Sequence, residues 1–189
     1  MTVRRSDATR ADILRAARAR FSRHGYQGAT IRKIAADAGI DPAMVMRYYG
    51  NKADLFAAAL DADLRLPDLT AVPRSRLGET LVRHFLHRWE GDPDDDVLLM
   101  LLRSAAVDDA AAERMREMFR RQLLPALLPV LDDPGEAPRR AGLIASQMLG
   151  LALCRHLLRL PPVATATPEQ LVATVGGTIQ RYLQAPLPK

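Results

Sequence analysis

Three helix-capping residues, Thr30, Asp41 and Asn51, follow one another at intervals of eleven and ten positions. The side-chain oxygen of each can accept a hydrogen bond from a free N–H group in the first turn of a helix. Pro42 follows Asp41, in a first turn where its missing N–H is harmless. Gly25 is a stop signal for the helix that precedes them. This spacing predicts a cluster of short helices joined by tight turns.

Gly39 separates the helix that follows Thr30 from the helix that follows Asp41. Glycine lets the chain reverse with positive φ, and Ala35, four residues earlier, lets two helix backbones approach each other. Val45, six residues after the glycine, is predicted to be buried. A small residue, a glycine in the turn and a buried aliphatic residue are typical of a helix-turn-helix. The alternative is an ordinary pair of helices in any all-α protein.

The second helix of this motif has two different faces. Val45 and Tyr49 share the face that is predicted to join the core. Met44, Arg47 and Tyr48 share the other face, which is free to enter a major groove of DNA. There Arg47 can bind guanine or a phosphate, Tyr48 can donate a hydrogen bond to a phosphate, and Met44 can contact a thymine methyl group.

Charge is distributed unevenly along the 189 residues. The first 52 contain eleven Lys and Arg against four Asp and Glu, a net charge of +7, whereas residues 53–189 carry −2. A basic unit at one end of a nearly neutral body indicates a polyanionic partner such as DNA. The alternative is a basic helix face that contacts only water.

The remaining sequence predicts helices almost throughout, because no alternating, strand-like run competes with the helical periodicity. Pro67 and Pro73 interrupt this pattern and indicate a boundary between a domain at residues 1–65 and a second at residues 66–189. We therefore predict an all-α chain of about nine helices. It consists of an N-terminal three-helix helix-turn-helix domain, to which a fourth helix is attached, and a C-terminal helical domain.

Residues 10–60 resemble the DNA-binding domain of the tetracycline-repressor (TetR) family of bacterial transcriptional regulators. The elements that carry the resemblance are Phe21, Gly25-Tyr26, Thr30-Ile31, Ile34-Ala35, Ala38-Gly39-Ile40 and Lys52-Ala53-Asp54-Leu55. The sequence departs from the family's usual Tyr-Tyr-His-Phe, where it has Met46-Arg47-Tyr48-Tyr49. The later part of the chain is similar to the variable ligand-binding half of the family.

This resemblance implies a ligand-responsive regulator, most often a repressor, that binds a palindromic DNA operator as a homodimer and is released by a small hydrophobic effector. The residues implied to contact DNA are Thr30, Ile31, Arg32, Pro42, Ala43, Met44, Arg47, Tyr48 and Lys52. The helix dipole disfavours a cation where Lys52 begins the fourth helix, so a bound phosphate would explain this lysine better. Arg4 and Arg5 either follow a groove of the DNA or form a disordered tail.

In the family, the last two helices of each chain form a four-helix interface. The resemblance assigns this role to residues 139–160 and 168–184, whose apolar surface and small residues suit the packing of two copies. The alternative is that these residues form only an intramolecular core. Candidate ligand-binding residues are aromatic or methionine side chains: Phe85, Trp89, Met100, Met115, Met118, Phe119 and Met148. Methionine adapts to ligands of different shapes, but each of these side chains also suits a core.

Three groups of residues raise the question of other chemistry. His84 and His87 could share a metal ion, but a third ligand at suitable spacing is lacking apart from Glu90. Cys154 lies beside Arg155 and His156, but adjacent side chains of a helix point apart. The run from Asp92 to Asp96 lacks the glycine and the terminal glutamate of a calcium loop. We therefore predict no cofactor, metal or catalytic site. The alternative function is a small helical enzyme or carrier protein with a vestigial DNA-binding domain.

The composition fits a protein of the cytoplasm. The single cysteine, Cys154, excludes an intrachain disulfide and suits a reducing compartment. The N-terminus lacks the apolar segment of a signal peptide. The longest uncharged stretch, Ala141 to Cys154, is too short to span a bilayer and is predicted to be a buried helix.

Overall fold

The computed structural model describes residues 5–91 and 97–188, and all regular secondary structure within them is helical. The predicted all-α class is therefore confirmed. Nine α-helices have eight residues or more, as predicted, and two further α-helical segments have four residues each. Among these residues, no helix has the length and apolarity that crossing a membrane requires. The bounds are α1 Arg5–Gly28, α2 Ile31–Ala38, α3 Pro42–Tyr49, α4 Lys52–Ala59, α5 Leu77–Glu90, α6 Val97–Ala105, α7 Asp109–Met118, α8 Leu124–Leu127, α9 Ala137–Ala152, α10 Pro161–Ala164 and α11 Pro168–Gln184.

These helices form two compact units that interleave along the chain. The first unit contains residues 5–62 and 97–114, and the second contains residues 63–91 and 115–188. Helix α6 therefore packs with the N-terminal helices, although it follows the prolines that indicated a boundary. The functional division at residues 65 and 66 stays a prediction, because units of packing and units of function need not coincide.

The first unit is built around α1. Ile13, Ala17 and Phe21 form its buried side and contact the helices packed against it. The regular part of α1 ends at Gly25, whose φ of 64° lies in the left-handed region that glycine adopts without strain. This agrees with the stop that the sequence predicts at this residue.

The three predicted helix caps are present. Each side-chain oxygen accepts a hydrogen bond from a backbone N–H two or three residues later, at 3.3 Å for Thr30, 2.7 Å for Asp41 and 2.9 Å for Asn51. Pro42 lies in the first turn of α3, as predicted. These local hydrogen bonds set where α2, α3 and α4 begin.

The second unit depends on the close packing of α5 against α11. A Cβ atom added to Gly78 would lie 2.3 Å from the carbonyl oxygen of Gly176, so the two backbones meet where neither residue has a side chain. The side chain of Gln180 accepts a hydrogen bond of 2.7 Å from the N–H of Gly78 at the same contact. The surrounding core includes Leu77, Leu81, Val82, Leu86, Leu127, Ile144, Ile179 and Leu183.

Two segments of the second unit have a wider helical turn than an α-helix. Phe119–Leu123 is a π-helical turn that leads into α8, where Pro125 lies in the first turn. Proline has no N–H to donate to the carbonyl four residues earlier, so the regular α-helical pattern is interrupted there. A second π-helical turn, Leu153–Leu157, follows α9. Such turns often occur at functional sites.

We expect Gly78→Ala to lower the free energy of unfolding by about 1–3 kcal/mol, because the added methyl group forces α5 and α11 apart. Chemical denaturation followed by circular dichroism measures this change. The matched control is Gly177→Ala in α11, where an added Cβ meets no atom within 4 Å. This control should keep or gain stability, because alanine favours a helix more than glycine does.

Both variants should be measured at two protein concentrations, so that any contribution from self-association is seen separately. An equal loss of stability in both variants would show that the approach of the two backbones is not the constraint.

Candidate functional site

The turn between α2 and α3 has the geometry that its glycine predicts. Gly39 adopts the left-handed conformation, with φ 66° and ψ 31°. The N–H of Ile40 donates to the carbonyl of Ala35 at 2.9 Å, and the N–H of Gly39 donates to the carbonyl of Ala36 at 3.2 Å. These two bonds form a Schellman motif, which ends α2 and turns the chain toward α3. Ala35 is fully buried, as the helix-turn-helix requires.

Helix α3 is docked through Val45 and Tyr49, as predicted. Val45 is fully buried, and the hydroxyl of Tyr49 donates a hydrogen bond of 3.2 Å to the backbone carbonyl of Arg10 in α1. Burial raises the pKa of Tyr49, against the opposing effect of the Arg10 and Arg18 charges. The hydroxyl therefore stays protonated and remains a donor at neutral pH.

The opposite face of α3 is open to solvent. Of the predicted contact residues in this helix, the exposed ones are Pro42, Ala43 and Arg47, and the half-buried ones are Met44 and Tyr48. Met46, which the sequence analysis did not include, is 44% exposed beside Arg47. It lies three residues after Ala43, so helical periodicity would have placed it on this face.

Helix α2 presents the next group of predicted contact residues. Thr30 caps the helix and is exposed, Ile31 is half-buried in its first turn, and Arg32 is exposed. The free N–H groups of this turn can bind a phosphate. Arg4 and the side chain of Arg5 lie outside the described residues.

Lys52, the last predicted contact residue, is positioned by an aromatic ring. Its ammonium group lies 4.3 Å from the centroid of the Tyr26 ring, a cation–π contact. The Tyr26 ring packs in turn against Phe56, with the centroids 4.9 Å apart. Tyr26 is not predicted at this site from the sequence, because only the fold brings it beside Lys52.

Two models of known protein families match this chain, one over the helix-turn-helix region and one over the C-terminal part. A family model described as "Tetracyclin repressor-like, C-terminal domain" matches residues 75–183, which is more than half of the chain. A second model, "Bacterial regulatory proteins, tetR family", matches residues 13–59, which contain the helix-turn-helix. The chain belongs to the TetR family. It is therefore a DNA-binding transcriptional regulator, and the enzyme alternative is wrong.

Curated TetR-type relatives match the N-terminal region. The HTH-type transcriptional repressor SCO4008 of Streptomyces coelicolor is 48% identical over 61 residues, which make up 32% of this chain and 32% of that protein. The HTH-type transcriptional repressor AcnR of Corynebacterium glutamicum is 36% identical over 55 residues, 29% of each chain. The matches thus span about a third of these relatives.

Solved structures of regulators match nearly the whole chain. A TetR-family regulator of Streptomyces coelicolor, SCO0857, is 29% identical, with a TM-score of 0.66 over 96% of this chain and 99% of that one. A transcriptional regulator from a Rhodococcus species is 25% identical, with a TM-score of 0.66 over 94% of this chain and 98% of the other. The likeness therefore extends through the C-terminal half.

The candidate ligand-binding residues of this TetR-family protein are not all brought together. Met100 is buried in the first unit. The other six are half-buried in the second unit: Phe85, Trp89, Met115, Met118, Phe119 and Met148. Phe85, Phe119 and Met148 pack against the same hydrophobic core.

A stack of three rings lies within this second unit. The ring centroids of Phe85 and Trp89 are 5.4 Å apart, and those of Trp89 and His156 are 5.6 Å apart. The Nε2 atom of His156 is buried without a hydrogen-bond partner among the described residues, 3.8 Å from the Oε1 atom of Glu90. Burial lowers the pKa of His156, while the Glu90 charge opposes this, so the neutral imidazole is favoured. His156 is not among the predicted ligand-binding residues, because Trp89 lies far from it in the sequence.

Arg155 connects the end of α5 to the segment that follows α9. Its Nε atom donates to the carboxylate of Glu90 at 2.6 Å. Its Nη1 atom donates to the carbonyls of Val163 and Ala166 at 2.7 and 2.9 Å. Arg155 is thus engaged with Glu90 rather than with its neighbour Cys154.

The two histidines that could have shared a metal ion have separate surroundings. The Nε2 atom of His84 is 2.8 Å from the carbonyl oxygen of Leu64, and His87 is exposed. Within residues 5–91 and 97–188, no group of three or more metal-binding side chains could hold an ion. The acidic run Asp92–Asp96 lies outside the described residues.

Proposed function

We propose that this TetR-family regulator is a repressor that binds an inverted-repeat operator as a homodimer and leaves it when a small hydrophobic effector binds. The observation that supports the DNA contact is the exposed face of α3 around Arg47, which is held between the Gly39 turn and the Tyr49 hydrogen bond. The names of the relatives SCO4008 and AcnR describe repressors, which supports repression of transcription rather than activation. The proposed DNA contacts are Thr30, Ile31, Arg32, Pro42, Ala43, Met44, Arg47, Tyr48 and Lys52.

The small size of α3 supports the dimer and the symmetry of the operator. A helix of eight residues covers only a few base pairs, too few to find one site among roughly 10⁶ or more competitors. Two copies on a two-fold axis read two half-sites, whose centres lie about one helical turn of DNA apart. Residues 1–65 would supply the DNA contacts, residues 66–189 would bind the effector and form the dimer, and the protein would act in the cytoplasm.

DNA binding is tested by fluorescence anisotropy with the DNA upstream of the chain's own gene, over a series of salt concentrations. Because Lys52 is proposed to bind a phosphate, Lys52→Gln should reduce the slope of log affinity against log salt by about 0.9 for each copy of the chain in the bound dimer. The matched control is Arg83→Gln, which removes one charge from an exposed residue of α5. The wild-type slope in the Lys52 variant would contradict the phosphate contact, and the absence of any binding by the wild-type protein would contradict the function.

Exposed small residues of α9 support the dimer interface. Gly142, Ser146 and Gly150 are exposed at intervals of four residues, and Leu153 continues the same side with 36% of its surface exposed. A Cβ atom added to Gly142 or Gly150 would meet no atom within 4 Å. Such a surface lets a helix of a second copy approach closely. We therefore propose residues 139–160, together with residues 168–184, as the interface.

We expect Leu153→Glu to break the dimer, because it would bury an unpaired carboxylate in each copy. Light scattering should then report a folded monomer, and specific DNA binding should fall far more than non-specific binding. The control is Leu128→Glu, the same substitution at a leucine that is 38% exposed and lies outside α9 and α11. A dimer that survives in the Leu153 variant, or that is lost equally in the control, would place the interface elsewhere.

The effector site is proposed in the second unit, around the stack of Phe85, Trp89 and His156. The half-buried aromatic and methionine side chains of this unit offer apolar contacts, and the unpaired Nε2 atom of His156 offers one polar contact. Apolar walls with a few polar groups are typical of sites for small molecules. Met100 lies in the first unit, where it lines a different cavity together with Phe21, Tyr26 and Phe56, so it is not part of this proposed site.

Trp89 is the only tryptophan of the chain, so its fluorescence reports on this site. We expect an effector to change this fluorescence. Operator DNA should weaken effector binding by the same factor by which the effector weakens operator binding, because coupling between two sites is reciprocal. Titration with and without operator measures the factor, and Trp89→Phe removes the signal as a control. A compound whose affinity is the same with and without DNA is not the effector.

A further inference from the structure

Two arginine side chains from different helices approach the ring of Tyr48. The guanidinium carbon of Arg10, in α1, lies 5.8 Å from the ring centroid, and that of Arg47, in α3, lies 5.6 Å from it. Both distances are within the range of about 6 Å over which a cation is attracted to an aromatic ring. Helix α1 therefore brings a positive charge to the same ring as Arg47, at the proposed DNA-binding face.

The guanidinium of Arg10 differs from those of Arg18 and Arg20 in α1, because no acceptor among the described residues binds its N–H groups. Arg18 donates to the carbonyls of Ala59 and Asp61. Arg20 forms a two-pronged ion pair with Asp37 at 2.7 and 2.5 Å. Arg10 is exposed, and nowhere in residues 5–91 and 97–188 does a protein oxygen accept a hydrogen bond from its guanidinium. Its five N–H donors are available to a ligand.

The backbone of Arg10 is fixed relative to α3 as well. The Tyr49 hydroxyl donates to the carbonyl of Arg10 at 3.2 Å, so Tyr49 holds the main chain of Arg10 and the preceding Tyr48 holds its side chain. Restraining an exposed arginine costs side-chain conformational entropy, and no hydrogen bond from its guanidinium to the described protein offsets that cost here. An arginine that is restrained but has free donors is suited to bind a ligand with little further loss of entropy.

We propose that Arg10 binds a phosphate of the DNA backbone and that the Tyr48 ring positions its guanidinium for this contact. The planar fork of arginine matches two oxygens of one phosphate. In this arrangement the ring of Tyr48 positions Arg10, and α1 joins α2, α3 and Lys52 in holding the backbone. The inference rests on the proposed DNA binding of this chain.

The first experiment measures how salt weakens DNA binding by the full-length protein. A phosphate contact contributes a slope of about 0.9, so Arg10→Gln should shrink the fall in affinity between about 50 and 200 mM salt by ~3-fold for each bound copy of the chain, which is ~10-fold for a dimer. A duplex of arbitrary sequence suffices as the probe, because phosphate contacts do not depend on sequence. The control is Arg23→Gln, which removes an exposed charge about 20 Å further along α1 and should leave the slope unchanged.

The second experiment separates the ring of Tyr48 from its hydroxyl. Tyr48→Phe keeps the ring and loses only the hydroxyl, so it should retain more DNA affinity than Tyr48→Leu, which removes the ring while both arginines are still present. Arg10→Lys keeps the charge, so it should retain the wild-type salt slope while losing part of the affinity. Circular dichroism and thermal unfolding verify that each variant is folded. If Tyr48→Leu does not fold, the two Arg10 variants still decide whether Arg10 binds a phosphate.

The outcomes distinguish this inference from the function on which it rests. If the wild-type protein binds no duplex DNA, the proposed function and this inference both fail. If the wild-type protein binds and Arg10→Gln keeps the wild-type slope, as Arg23→Gln is expected to do, only the role of Arg10 fails. If Tyr48→Phe loses as much affinity as Tyr48→Leu, the hydroxyl is the functional group and the positioning by the ring is wrong.

Discussion

The left-handed turn at Gly39 is the constraint on which the DNA-binding unit depends. Its positive φ allows the hydrogen bond from Ile40 to Ala35 that ends α2, and the cap at Asp41 begins α3 two residues later. A side chain at position 39 would be strained in this conformation. Because α3 starts immediately after the turn, its two faces are assigned by this geometry: Val45 enters the core, and Arg47 remains exposed.

Three tyrosines then decide what the exposed cations can do. Tyr49 docks α3 on α1, Tyr48 lies beneath the guanidinium groups of Arg10 and Arg47, and Tyr26 lies beneath the ammonium group of Lys52. Aromatic rings hold cations without neutralising them, unlike a carboxylate, which would compete with the phosphates of DNA. The unit thus keeps positive charge at its surface and also limits the motion of the side chains that carry it.

In the second unit, glycine has two different uses. Gly78 and Gly176 let α5 and α11 meet within one chain, whereas Gly142 and Gly150 leave one side of α9 open. The first pair supports the intramolecular core, and the second pair supports a contact with a second copy. The sequence analysis left these two roles of the apolar C-terminal helices as alternatives, and the exposure of individual residues favours the presence of both.

The sequence by itself determined the features that depend on neighbouring residues. The all-α class, the three caps, the stop at Gly25 and the turn at Gly39 were predicted because a cap or a turn involves hydrogen bonds over a few residues. The family was recognised from the same short region. Only the tertiary structure decided the grouping of α6 with the N-terminal helices, the contacts of Tyr26 and Arg10, and the stacking of His156 on Trp89. Each of these joins residues that are far apart in the chain, and no local pattern encodes such a pairing.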